Sequence, residues 1–200
     1  LMTLAVGLPA EIAAGLGLFA GIMITGAMHE DGLADCADGF WGGFDPARRL
    51  EIMKDSHIGT YGVLALILSV LARWSLLAGL IAAGHALPAL MAAALLSRVP
   101  MVALMAWMPP AREGGLSRAV GRPSMEAAAI GAGVALLLAL ILTGGGAIWA
   151  ALAVTLVALG IGALARAKIG GQTGDVLGAT QQVVEITVLV AFDVMISNWD

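Results

Sequence analysis

Apolar residues fill this chain in blocks long enough to cross a bilayer, and polar stretches and tight turns separate the blocks. A membrane helix needs about 20 mainly apolar residues. Blocks of that order run from Pro9 to Met28, Tyr61 to Ala83, Leu87 to Met108, Ser124 to Leu142, Ala147 to Ala165 and Asp175 to Ile196. Local signals mark their ends. Pro9 and Glu11 suit a first turn, Pro109-Pro110 stops the third block, and Ser124 suits an N-cap. The pattern predicts six spans, hence an all-α polytopic membrane bundle, forming one domain over residues 1–200.

The connections alternate in character. Segments 29–60, 111–123 and 166–174 are polar and hold eight of the ten Lys and Arg residues, whereas the turns 84–86 and 143–146 hold none. Positive charge collects in cytoplasmic loops. The three polar loops are therefore expected to face the cytoplasm and both turns the far side, an alternation consistent with six spans. The two remaining arginines, Arg73 and Arg98, fall near the middles of spans two and three. A charge at that depth costs about 2.5–3.5 kcal/mol on insertion scales, so each should face a cavity or an ion-pair partner.

Composition supports the membrane assignment: 60% of residues are hydrophobic, 12% are charged, and the mean hydropathy is +0.96. Soluble domains carry about 25% charged residues. The few basic residues form no long stripe, which argues against nucleic-acid binding. A single cysteine, Cys36, excludes an intrachain disulfide framework, and its expected role is packing. The chain begins at Leu1 inside apolar sequence with no signal-peptide n-region, and a further N-terminal piece is expected.

Half of the acidic residues lie in one polar island: Glu30, Asp31, Asp35, Asp38, Asp45, Glu51 and Asp55. Asp31, Asp35 and Asp38 are spaced i, i+4, i+7, which on a helix places them within roughly 60° of one another. Such crowded carboxylates repel unless a cation neutralises them, and oxygen ligands favour Mg²⁺, Mn²⁺ or Ca²⁺ over zinc. The alternative is a solvated acidic face. In the last span Asp175, Gln182 and Glu185, at i, i+7 and i+10, project from one side. The preceding Gly170-Gly171-Gln172-Thr173-Gly174 either offers an anion the free N–H groups of a helix start or is an ordinary capped turn.

Two acidic clusters, several arginines and a glycine-rich helix start at one membrane face are equipment for displacement at a diphosphate. A metal bridges phosphate oxygens, arginines hold them, and a spare carboxylate takes the proton of an attacking hydroxyl. Ser56 and His57 are adjacent and suggest no triad, so direct transfer is expected rather than a covalent intermediate.

The run His29 to Phe40 (His-Glu-Asp-Gly-Leu-Ala-Asp-Cys-Ala-Asp-Gly-Phe), followed by Arg49 to Gly62, resembles the motif of the cobalamin synthase family, the adenosylcobinamide-GDP ribazoletransferases. Ser97-Arg98, Ala111-Arg112-Glu113-Gly114 and Gly170 to Ala179, with Gln182 and Glu185, resemble it too. The resemblance covers most of the chain. It implies an inner-membrane enzyme of bacteria or archaea, requiring Mg²⁺, that joins α-ribazole or its 5′-phosphate to adenosylcobinamide-GDP and releases GMP. It also implies residue roles. Glu30, Asp31, Asp35 and Asp38 would bind metal. Asp35, Asp38 and Asp175 would be catalytic, and Lys54, Asp55, Arg98, Arg112, Gln172 and Gln182 would contact phosphate or nucleotide. Expected partners are these substrates and the lipid bilayer, with no nucleic acid; a homo-oligomer is admitted. Family members usually carry an additional N-terminal segment, and Cys36 and His57 stand where Thr or Ser and Arg are expected. Two other readings compete: a CDP-alcohol phosphotransferase of lipid synthesis, to which the acidic motif is faintly similar, and a divalent-cation transporter, since intramembrane charges also mark ion paths.

Overall fold

The structure is a computed structural model that describes residues 7–197. Nine helices run through these residues: α1 (Ala10–Thr25), α2 (Met28–Gly42), α3 (Pro46–Ile52), α4 (Thr60–Ala82), α5 (Ala86–Trp107), α6 (Leu116–Val120), α7 (Met125–Thr143), α8 (Gly146–Ile169) and α9 (Gly174–Ser197). Among the described residues there is no strand. The fold is an all-α membrane bundle in which α4, α5, α7, α8 and α9 are each long and apolar enough to cross a bilayer.

The first expected span is different. Its helix ends at Thr25, and the chain then turns by 86° into α2, so that α1 and α2 make one broken span at most. The bend has a local cause. Gly26 (φ 62°) and Ala27 (φ 56°) are both left-handed, and the Ala27 N–H closes back on the Ile22 carbonyl at 2.9 Å. An alanine there costs about 1–2 kcal/mol, which the packing of α2 must offset. The stretch 29–42, expected as loop, is therefore helical. So is 166–169, the end of α8, which leaves a four-residue connection to α9. The other ends fall within a few residues of expectation, and Ser124 caps α7 by accepting from the Ala127 N–H at 3.1 Å.

Helix α9 is the centre of the bundle and packs on α2, α4, α5 and α8, with α7 on the far side of α5 and α1 against α4. One apolar core joins α4, α5, α7, α8 and α9 around Leu80, Ala92, Leu96, Ala150, Val188 and Phe192. The other joins α2 and α3 to α5, α8 and α9 around Phe40, Met53, Leu104, Met108 and Val176, and it holds the buried Cys36. Small residues let α2 and α9 approach. A Cβ on Gly32 would meet the Asp175 carbonyl oxygen at 2.7 Å, and one on Gly178 would meet the His29 Cα at 3.3 Å. In lipid, where apolar burial between helices gains little, such close backbone contact is a main source of helix association.

The three polar segments meet at one end of this bundle. Lys168 donates to the Phe40 carbonyl (3.0 Å), and Arg49 donates to the Lys168 carbonyl (2.9 Å). The loop after α5 is strapped to the loop before α9 by two bonds, Gln172 N–H to Pro109 O (2.9 Å) and Ala111 N–H to Gln172 O (2.8 Å). The two tight turns lie together at the other end, where His85, Thr143 and Gly145 line a common cavity with Met195 of α9.

Candidate active site

The strap between the loops builds the site. Gly171 sits so close to the Pro109 carbonyl that no side chain would fit there. The pairing of residues 109–111 with Gln172 brings Arg112 beside the start of α9, where its Nη2 reaches Asp175 Oδ2 at 3.1 Å. Both side chains are largely buried, at 16% and 17% exposure. Asp175 also accepts from the Thr173 hydroxyl at 3.2 Å. Across the close α2–α9 contact, Asp31 and Asp35 lie within electrostatic reach of Asp175, and Asp35 within reach of Arg112.

The mouth thus sets Asp175 and Asp35 by one guanidinium, with Asp31 near both carboxylates. Polar capacity is left over: Arg112 Nη1 and Gln172 Oε1 are buried and have no hydrogen-bond partner. An excess of negative charge with a free guanidinium edge suits a cation bridging to an anion. Among the described residues no three His, Cys, Asp or Glu side chains converge into a ready-made cage. For Mg²⁺ that is no obstacle, because it is usually held by one or two carboxylates completed by water and substrate phosphate oxygens. The donor set of Asp31, Asp35 and Asp175 fits such an ion.

Several expected site residues go elsewhere. A separation of i to i+7 restores the angle on a helix but also adds about 10 Å along its axis, so Asp38 lies two turns from Asp31. Its carboxylate accepts from the Gly59 N–H (2.7 Å) and the Gly62 N–H (2.9 Å) and caps the start of α4. Glu30, about 100° around α2 from Asp31, turns into the bundle. There it pairs with Arg73 of α4 at 3.0 Å and accepts from Gln182 of α9 at 3.1 Å. Arg98 lines the same interior space, with its Nη1 on the Ala94 carbonyl and the Ser97 hydroxyl. Lys54 and Asp55 sit on the exposed loop before α4.

On that loop Asp55 holds His57 Nδ1 at 2.6 Å. The hydrogen bonds from His57 hold the Asp55 carboxyl below its ordinary range, and the bond to Asp55 raises the imidazole. The glycine-rich turn before α9 is capped from within, since Thr173 Oγ1 accepts from the Val176 N–H at 3.3 Å.

Most of the basic residues at this end have structural partners. Arg122 donates to the Ala106 (2.8 Å) and Trp107 (3.1 Å) carbonyls, the open C-terminal end of α5. Arg166 lies over the Trp107 ring at 4.8 Å, and Arg48 pairs with Glu51. Arg112 is the one shown against the carboxylates. The role of Asp38 was missed from sequence, although Gly59-Thr60-Tyr61-Gly62 carries a signal. A Cβ at either glycine would collide with the Asp38 carboxylate.

A model of the family described as Cobalamin-5-phosphate synthase matches residues 1–193. The adenosylcobinamide-GDP ribazoletransferase of Mesorhizobium japonicum is 47% identical over 192 residues, which cover 96% of this chain and 74% of that protein. The protein of the same name from Azorhizobium caulinodans is 49% identical over 193 residues, covering 93% and 73%. That of Bradyrhizobium diazoefficiens is 48% identical over 185 residues, covering 92% and 71%. No solved structure matches the chain.

Proposed function

Since this chain belongs to the cobalamin-5-phosphate synthase family and is a transferase of cobalamin biosynthesis, we propose that its polar mouth transfers the adenosylcobinamide phosphate group from adenosylcobinamide-GDP to α-ribazole or α-ribazole 5′-phosphate. The acceptor hydroxyl attacks the phosphorus that carries the cobinamide. The bond from that phosphorus to the bridging oxygen breaks, and GMP leaves.

The observation that carries this reading is the Arg112–Asp175 pair set against Asp31 and Asp35, with a free guanidinium edge beside it. Arg112 can hold a diphosphate oxygen on its unpartnered Nη1 without giving up Asp175. Asp35 accepts no hydrogen bond among the described residues, which leaves it open to receive the acceptor's proton. Asp31 and Asp175 would hold Mg²⁺ with Asp35 at its edge. When bound, the ion supplies charge neutralisation on the diphosphate and the leaving GMP. Arg112 and Asp175 are largely buried, and there a fixed guanidinium acts more strongly than it would in water.

The same reading sets the protein in the cell inner membrane with residues 29–60, 111–123 and 166–174 toward the cytoplasm. The positive charge of those segments supports this, as does their meeting at one end of the bundle.

The test is turnover by detergent-solubilised protein. GMP is expected from adenosylcobinamide-GDP only with acceptor and Mg²⁺ both present. Asp35→Asn is expected to lower turnover by roughly 10²-fold or more, the scale seen when a transition-state contact is lost. Unchanged turnover in that variant would remove the role given to Asp35. CMP release from a CDP-activated donor, or metal flux without nucleotide, would replace the reading by one of its two rivals.

A further inference from the structure

The family resemblance makes Glu30 a metal ligand, and the structure gives it a different task. Its Oε1 accepts from two helices at once, from Arg73 Nη1 of α4 at 3.0 Å and from Gln182 Nε2 of α9 at 3.1 Å. Gln182 is itself held. Its carbonyl oxygen accepts from the Ser69 hydroxyl of α4 at 3.1 Å, and its amide also donates to the Gln181 carbonyl oxygen at 2.9 Å. All five side chains are buried, Gln182 at 1% exposure.

This junction ties together the two helices that carry the acids of the mouth. On α2, Glu30 immediately precedes Asp31 and lies five residues before Asp35. On α9, Gln182 lies seven residues after Asp175 and so on the same side of the helix. Elsewhere α2 and α9 touch through glycines, Gly32 on the Asp175 backbone and Gly178 on that of His29. Such contacts bring backbones close but have no direction, so by themselves they leave a helix free to slide and turn. Hydrogen bonds do have direction, and fixing the register of one helix on another is the best-attested use of a buried polar group.

Helix α2 has a second grip on α4, where Asp38 takes the Gly59 and Gly62 N–H groups. The two grips stand about 12 Å apart along α2 and roughly 80° apart around it. Asp38 alone would let α2 turn about that one point. Glu30 stops the turn, and Asp31 and Asp35 lie between the two grips. We propose that Glu30 is a positioning residue for the transfer: Arg73 and Gln182 hold its Oε1, and that hold turns Asp31 and Asp35 of α2 toward Asp175 of α9. This rests on the reading of the mouth as the place where the phosphate group is transferred.

The variant that tests it carries no charge. Gln182→Met removes the α9 donor from Glu30 and leaves every carboxylate and arginine in place. In protein reconstituted in phosphatidylcholine nanodiscs, Mn²⁺ is titrated in alone and followed by the EPR signal of the free ion. The variant is expected to bind it about tenfold more weakly than wild type, while still folded by its thermal melt. Its kcat should fall tenfold or more, since a misplacement of about 1 Å can cost 10²-fold. A purely structural role would lower the melting temperature and leave the metal affinity of the folded protein unmoved, and that result would overturn the proposal.

Substitutions at Glu30 separate positioning from ligation. Glu30→Gln keeps an oxygen for Arg73 and Gln182, so turnover and Mn²⁺ affinity should stay within about threefold of wild type, whereas Glu30→Ala should lose about tenfold or more in both. Arg73 keeps Glu185 at 3.9 Å in either variant. Were Glu30 a metal ligand, the amide would serve as badly as the alanine, and the proposal would fall. The double variant Glu30→Ala/Gln182→Met should lose no more than the worse single one, because both changes break one junction; losses that add would mean two separate roles and would also sink it. Wild-type protein that makes no GMP from adenosylcobinamide-GDP defeats the transferase reading, and this inference with it. Normal GMP release, with turnover and metal affinity unmoved in Gln182→Met, defeats the inference alone.

Discussion

At the scale of single residues, neighbours in sequence have opposite tasks. Glu30 is buried against Arg73, whereas Asp31 is exposed at the mouth, because one residue along a helix is about 100° of rotation. Arg73 was legible as a residue needing a partner, since a lone guanidinium midway along a span is costly, but two carboxylates were available to it. Glu30 stands at 3.0 Å and Glu185 at 3.9 Å. The exposed pair Asp55–His57 permits a sharper expectation. Its hydrogen bond raises the imidazole above its usual 6.5 and lowers the carboxyl below 3.8. The contribution of His57 to local order is therefore complete below pH 6.5 and fades as pH rises through its raised value. That of Asp55 is complete above 3.8 and fades as pH falls through its lowered one. An NMR titration of His57 should give a midpoint above 6.5 that Asp55→Asn returns toward it; equal midpoints in the two proteins would show that the loop does not hold this bond.

At the scale of the element, α2 is organised by its partners. Its outer face carries the acids of the mouth, its Gly32 lies on the α9 backbone, and its Gly39 lies against Arg49 and Met53 at α3. Its last turns deliver Asp38 to the start of α4. The spacing of Asp31, Asp35 and Asp38 made the shared face legible. It left open which of the three would be taken by another helix, because angle around an axis says nothing of the neighbour met at each height. Asp38→Ala removes the acceptor of two N–H groups, Gly59 and Gly62, that lie against it. Each hydrogen bond to a charged group is worth roughly 1.5–3 kcal/mol, so these amides should exchange with solvent tenfold or more faster. Asp38→Asn, which keeps one acceptor, should fall between. Wild-type protection in Asp38→Ala would mean that α4 starts without this cap.

At the scale of the molecule, polar segments far apart in sequence form one mouth, and the two bare turns lie together at the opposite end. Topology can be tested on sealed vesicles of known orientation, in a Cys36→Ala background. A cysteine at Arg118 should react with an impermeant thiol reagent from the cytoplasmic side, and one at His85 from the other. Labelling of both from one side would break the alternation of loops. What the sequence determined by itself is what short-range physics controls. The lengths of the apolar blocks set the spans after the first, Ser124 and Pro109-Pro110 set helix ends, and the clustering of acids picked out the end of the bundle where the polar segments meet. The tertiary structure alone decided the fate of individual charges. Asp175 meets Arg112 through a loop-to-loop strap, Asp38 is spent on a helix start, and Glu30 is turned inward onto Arg73 and Gln182. Those pairings depend on which helices touch and at what depth, and that is settled by long-range packing at Gly32, Gly171 and Gly178, where the absence of a side chain lets one backbone lie on another.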